Sequence, residues 1–326
     1  MKRALVVLAI AACGEKREAP PPPPPPVPVP SIPVDAALAV DAAPPASSGA
    51  ILRERPLDTP PNTLVVTPNA IYFSSLSPGV FMLRDGQTKE IDDKWVTRIM
   101  GDADAIYYVS QENDDGHLMR HPYAGDPKPL VEWDGWIQAI DDTHVYLQGF
   151  RTRTSLKVPK LGGDPLKLPC RSLAVDGDHL YCMERSEFVR YDKSGKARKV
   201  LGRVPKGRLT EGPALTAKYI YASTEGADTG NVGWSIVRVP KTGGTVEVVA
   251  PDVGNIYELV GVEHEAYWVE TKHPTPRKMI VRRMGDADTE PTDFAENFGY
   301  ARGIVVTPEV VFVADSEPAR IVELRR

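Results

Sequence analysis

Cys170 and Cys182 stand on either side of the segment Asp176-Gly177-Asp178, and thiols so placed across a hairpin can be joined by a disulfide in an oxidising compartment. A three-residue loop would set the two cysteines directly opposite each other, whereas a two-residue loop would put them on different faces. The alternative is a pair of buried thiols. No companion ligand stands at a suitable spacing for a metal. Among the histidines, His144 and His179 occupy one recurring slot, two residues before a tyrosine, which marks a structural role. Asp102-Ala103-Asp104 and Asp286-Ala287-Asp288 each follow a glycine. Asn113-Asp114-Asp115-Gly116 resembles a calcium loop, yet no glutamate stands where an EF-hand requires one. All three read as turns. The chain has no Gly-x-Ser-x-Gly elbow and no glycine-rich loop opening onto a helix, so no catalytic residue, cofactor or metal ligand is expected.

The elements that carry these residues follow from a repeat. An aromatic inside a short β-rich run recurs at Tyr72, Tyr107, Tyr146, Tyr181, Tyr221, Tyr267 and Phe312, at intervals of 35 to 46 residues. The average, about 40, is the length of a four-stranded propeller blade. Before each aromatic comes an apolar strand and a turn, as in Leu173-Ala174-Val175-Asp176-Gly177-Asp178. After it comes a polar loop and a second hairpin. No apolar periodicity of helical length appears between residues 50 and 326. The expected fold is therefore all-β, a seven-bladed propeller. Its last unit has only three strands before the chain stops, and Ile51-Leu52-Arg53-Glu54-Arg55 is a spare strand that would complete it and remove an open edge.

The later hairpins read Arg238-Val239-Pro240, then Gly243-Gly244, and Val158-Pro159, then Gly162-Gly163. In this the repeat resembles bacterial extracytoplasmic propellers of the TolB-like, domain-of-unknown-function type. The resemblance covers most of residues 60–326 and brings no catalytic motif with it.

The N-terminus places the domain. Lys2 and Arg3 precede an uncharged apolar run, Ala4 to Ala12. As a helix this run would rise only about 13 Å, too short for a bilayer core of roughly 30 Å. It has the form of an export signal, residues 1–12. Ile10-Ala11-Ala12-Cys13 resembles the bacterial lipobox, which implies that Cys13 is acylated and becomes the new N-terminus. Gly14, in place of aspartate, implies sorting to the outer membrane, with the lipid as the only membrane contact. Residues 13–49 then form a lipidated, Pro/Ala-rich linker expected to be disordered. Its stretch Pro20 to Pro33 favours extended polyproline II, about 43 Å long at 3.1 Å per residue. Residues 50–326 form the propeller.

The formal net charge is −5, and the propeller carries no basic block, so nucleic acid is not an expected partner. The loops joining second to third strands differ most between repeats, and loops carry function because the scaffold constrains them little. Candidate partner-binding residues are Glu112, Asp114 and Asp115 in one loop, Lys272, His273, Arg277 and Lys278 in another, and Arg151 and Arg153 in a third. The expected function is that of a monomeric envelope lipoprotein whose propeller binds a protein or glycan without catalysis. The alternative is a propeller lyase or hydrolase with titratable groups converging on the channel.

Overall fold

Each repeat aromatic lies in the second strand of an antiparallel sheet, where both faces of the strand are covered by neighbouring blades. The computed structural model describes residues 49–112, 115–150, 154–205, 207–226, 234–271 and 278–326. Within them seven such sheets follow one another, and no helix occurs. Six sheets have four strands. The fifth blade has its innermost strand in two pieces, Arg208–Leu209 and Ala214–Leu215, both paired with Tyr219–Glu225. The expected seven-bladed propeller is the observed fold.

Its core is a ring of seven apolar clusters, each spanning two adjacent blades. Tyr107 of blade two packs with Val145 and Leu147 of blade three. Tyr267 of blade six packs with Val311 and Val313 of blade seven. Leu64 and Phe73 of blade one meet Phe312 and Ile321 of blade seven, which closes the ring. The first strand described, Ile51–Pro56, pairs antiparallel with Ala319–Arg325, with Ile51 opposite Leu324 and, after a register shift of one, Arg53 opposite Glu323 through Pro56 opposite Arg320. The last blade is thus built from both ends of the propeller. Innermost strands approach closely enough to demand glycine at Gly261, where a Cβ would lie 2.3 Å from the carbonyl oxygen of Leu215 in the next blade.

Polar latches join blades on the face that carries the turns between first and second strands. The Asp102 carboxylate caps the backbone N–H groups of Asp104 and Ala105 at 2.8 and 2.9 Å, and its other oxygen takes a hydrogen bond from the buried ammonium of Lys160 in blade three. Asp141 does the same for Thr143 and His144 and receives Lys193 of blade four at 2.8 Å, while the Tyr146 hydroxyl donates to it. Asp176 receives Lys241 of blade five. Asp102 and Asp176 are turn residues as expected, Asp141 takes the same place in blade three, and each also clamps the next blade. Burial opposes ionisation of Asp102 and Asp141, but the lysines and the capping N–H groups outweigh it and hold both carboxyls below their ordinary value. His144 and His179 each lie beside the tyrosine two residues on, with ring centroids 6.5 and 6.1 Å apart, in keeping with a shared structural slot.

Cys170 and Cys182 are joined, with Cα atoms 5.7 Å apart. The hairpin loop has two residues, since Asp176 pairs with His179 and Cys182 therefore faces Leu173. The expectation that such a loop would part the cysteines fails because Cys170 is not in the ladder. It lies in the connection before Ser172–Asp176 and is free to turn back onto Cys182. The bridge spans only 12 residues, so its reduction is expected to cost about 2–3 kcal/mol and leave the fold standing. Melting curves with and without reductant check this; loss of the cooperative transition on reduction would show a larger role.

Candidate functional site

The innermost strands of neighbouring blades lie side by side around a central channel. Five of them carry a register break: Pro61–Val66, Trp95–Gly101, Gly135–Ile140, Ile256–Val262 and Ala301–Val306. A bulge frees a residue from the ladder and re-aims its side chain. The positions so freed are Asn62-Thr63, Thr97-Arg98, Gln138, Tyr257 and Arg302, and the gap in the fifth blade's strand leaves Glu211 in a similar place. Three of these side chains stitch blades together, the first being Thr63, whose Oγ1 accepts from the Ile99 amide at 3.0 Å. Asn62 Nδ2 donates to the carbonyl of Thr97 at 2.9 Å, and Gln138 Oε1 accepts from the Leu173 amide at 3.4 Å. Arg302 stacks over Tyr300 and Tyr257, with 4.9 and 5.8 Å to the ring centres.

Arg98, Gln138, Glu211 and Tyr257 face a chamber of about 320 Å³ that Trp136 and Glu258 also line. Arg98 donates across it to Glu258, 160 residues away in sequence. Beyond this ion pair lies a second space of about 260 Å³ with mostly apolar walls, including Val65, Met100 and Val260. The pair therefore sits as a bar between a polar mouth and an apolar throat. Burial drives the Glu258 carboxyl towards its neutral form, against the pull of Arg98. Glu211 remains open to the channel but is walled by protein, and that enclosure, followed by repulsion from Glu258, raises its pKa while Arg98 opposes the rise. The arrangement can hold an anion on Arg98 and offer a protonated carboxyl as a donor. Among the described residues, no group of three His, Cys, Asp or Glu could hold a metal ion.

A larger groove, about 780 Å³, lies elsewhere, between the closing strand and blade one, and shares no residue with the channel mouth.

Of the loop residues proposed from sequence, Glu112, Asp115 and Lys278 are described. Glu112 ends the second strand of blade two and is paired with Lys94 at 2.9 Å, so its charge is partly neutralised within its own blade. Asp115 stands opposite it in the ladder, and Lys278 is exposed. Asp114, Arg151, Arg153, Lys272, His273 and Arg277 lie outside the described residues, as does Cys13. The channel group of Arg98, Glu211 and Glu258 does not emerge from sequence reasoning. A signal for it exists: a charged or amide residue stands eight to ten positions before the repeat aromatic in several blades, within an otherwise apolar strand.

No family model matches the chain, and no characterised protein matches it in sequence. Solved structures do match in fold. A streptogramin B lyase superposes with a TM-score of 0.60 at 14% identity, over 84% of this chain and 96% of that one. A catalytically inactive histidine-to-alanine variant of virginiamycin B lyase from Staphylococcus aureus, solved with Quinupristin, gives a TM-score of 0.61 at 13% identity, over 84% and 98%. The β-propeller domain of the Trilobed protease from Pyrococcus furiosus gives 0.59 at 11%, over 81% and 95%. That domain is described as having an open velcro topology, whereas this ring is closed by Ile51–Pro56. At these identities the likeness concerns the fold.

Proposed function

We propose that the chain is an extracytoplasmic lipoprotein of the TolB-like kind, anchored through Cys13 to the outer membrane, whose propeller binds an envelope protein or glycan without turning it over. The observation that carries this reading is the Arg98–Glu258 bar. Arg98 is already tied to Glu258, so a reaction drawing on either would first have to break a shielded ion pair. The alternative, a lyase or hydrolase, draws on the two glutamates with raised pKa and on the lyase folds among the similar structures. One of those lyases is inactivated by replacing a histidine, and no histidine lines the described channel of this chain.

Affinity capture with the anchored full chain from envelope extracts tests the reading. A retained partner of unchanged mass is expected. Turnover of an envelope peptide or glycan that disappears in Glu211→Gln and Glu258→Gln would replace binding by catalysis. Labelled palmitate should enter the wild type and not Cys13→Ser; label in the variant would remove the anchor from the proposal. Neutralising Lys272, Arg277 and Lys278 is expected to alter capture while moving Tm by no more than about 2 °C.

A further inference from the structure

On the same face as the channel mouth, an open groove of about 520 Å³ runs across blades three to five. Its charged lining is all of one sign: Arg171, Arg185 and Arg208, with no aspartate or glutamate. This is notable in a chain whose net charge is −5. The adjoining groove of blade four shares Arg171 and Arg185, but its carboxylates Glu184 and Glu187 are already taken up by Arg198 and Arg203. The three groove arginines have neither an ion pair nor a side-chain hydrogen bond among the described residues, and Arg208 stands opposite Glu225 in the ladder without engaging it.

Their backbones are nevertheless fixed from neighbouring blades. The Arg171 carbonyl accepts from the Ser155 hydroxyl at 3.0 Å, and the Arg185 carbonyl accepts from the Leu209 amide at 2.9 Å. Three free guanidinium groups on a rigid base form a receptor for carboxylates or phosphates that loses little to ordering its own backbone.

The apolar part of the groove narrows the class. Phe150 is 42% exposed, and its ring lies 4.7 Å from that of Trp136 at an interplanar angle of 58°. Met183 lines the groove beside them. A sugar ring stacks on a flat aromatic face. Two rings inclined in this way make a wedge, which suits an inserted side chain.

Resting on the binding reading above, we infer that this groove takes an extended acidic peptide segment, its carboxylates on Arg171, Arg185 and Arg208 and one apolar side chain between Trp136 and Phe150. The segment belongs to a partner protein and lies across the channel mouth, with which the groove shares Trp136, Ser172 and Thr210.

The test uses the purified full chain and a fluorescent twelve-residue peptide of glutamates with a central phenylalanine, read by anisotropy. Binding is expected, and it should weaken as salt rises from about 50 to 300 mM. The same peptide with glutamine in place of glutamate should not bind. The triple variant Arg171→Gln, Arg185→Gln, Arg208→Gln should bind on the order of tenfold more weakly or worse, and Phe150→Ala should weaken binding without changing the salt slope. The triple variant should melt like the wild type, because the arginines hold no other side chain. Unchanged affinity in the triple variant overturns the inference. So does absence of peptide binding, or an oligogalacturonate of equal charge binding as tightly. An envelope partner captured equally by wild type and triple variant would sink the groove and leave the binding reading intact; turnover of that partner would sink the binding reading.

Discussion

Deleting residues 50–56 is expected to cost the protein its cooperative fold, although these residues bury little surface. The strand Ile51–Pro56 is mostly exposed, so what it contributes is the ladder. It pairs with Arg320 to Leu324, and the junction continues in the bonds from the Leu57 amide to the Ala319 carbonyl at 2.9 Å and from the Arg325 amide to the Ala50 carbonyl at 2.8 Å. Arg55–Glu323 and Arg320–Glu54 add ion pairs across the seam. At about 1 kcal/mol per backbone hydrogen bond, several kcal/mol are lost from a total that is typically 5–15 kcal/mol. The deletion also turns Ala319–Arg325 into an open edge beneath which Ile321, Val322 and Leu324 are buried, and such edges recruit other chains. Thermal unfolding and light scattering should show a broad early transition with aggregation. Deletion of residues 15–45 should leave the melting curve unchanged. If the 50–56 deletion melts within about 2 °C of the wild type, a span small even for a large domain, the closing strand is dispensable.

Asp102→Ala should be the most damaging single substitution among the latches. Lys160 has only 8% of its side chain exposed, and Asp102 is its sole carboxylate partner among the described residues. Removing the acid strands a shielded ammonium and uncaps the turn, at a cost of about 3 kcal/mol or more. The double variant Asp102→Ala, Lys160→Met should recover most of that loss, because the stranded charge is gone. The pH dependence gives a second readout. With the folded pKa of Asp102 below its unfolded value, the pair's stabilisation is present above the unfolded value and is lost as pH falls through the folded one. The wild type should therefore lose stability on acidification more steeply than the double variant. Equal stability of Asp102→Ala and wild type at neutral pH, or parallel acid slopes for wild type and double variant, would show that the latch is ornamental.

Much of the fold is legible in the chain because each blade must solve the same local problem. A central strand covered on both faces needs a large buried side chain, and Tyr107, Tyr146, Tyr221 and Tyr267 supply it at blade spacing. The spare strand at Ile51 is legible for the complementary reason, that a three-stranded last blade leaves an edge unpaired. The latches are half legible. The turn aspartates and the lysine of Val158-Pro159-Lys160 announce hairpins, but that Lys160 reaches back to Asp102 in the preceding blade depends on how blades splay around the ring. The channel is the least legible. Arg98 and Glu258 meet across the diameter of the ring, through bulges that the amino-acid pattern of a single strand does not reveal. The cysteine pair shows the same limit on a small scale: strand register alone would have separated residues that a flexible connection brings together.

The shared last blade also imposes an order on how the molecule comes into being. Chains are made, and an exported chain crosses the membrane, N-terminus first. Residue Glu54 is made early, and Arg320, its partner across the seam, is 266 positions downstream. For all that time the early segment has no companion, while six blades assemble one against the next, each needing its successor to bury the apolar side it presents. Completion is therefore a single late event between the oldest and youngest parts of the propeller, and contacts so remote in sequence form slowly. Until then the half-made ring offers one bare flank at each end, so this protein's exposure to misassembly lasts until the seam between Ile51–Pro56 and Ala319–Arg325 is paired.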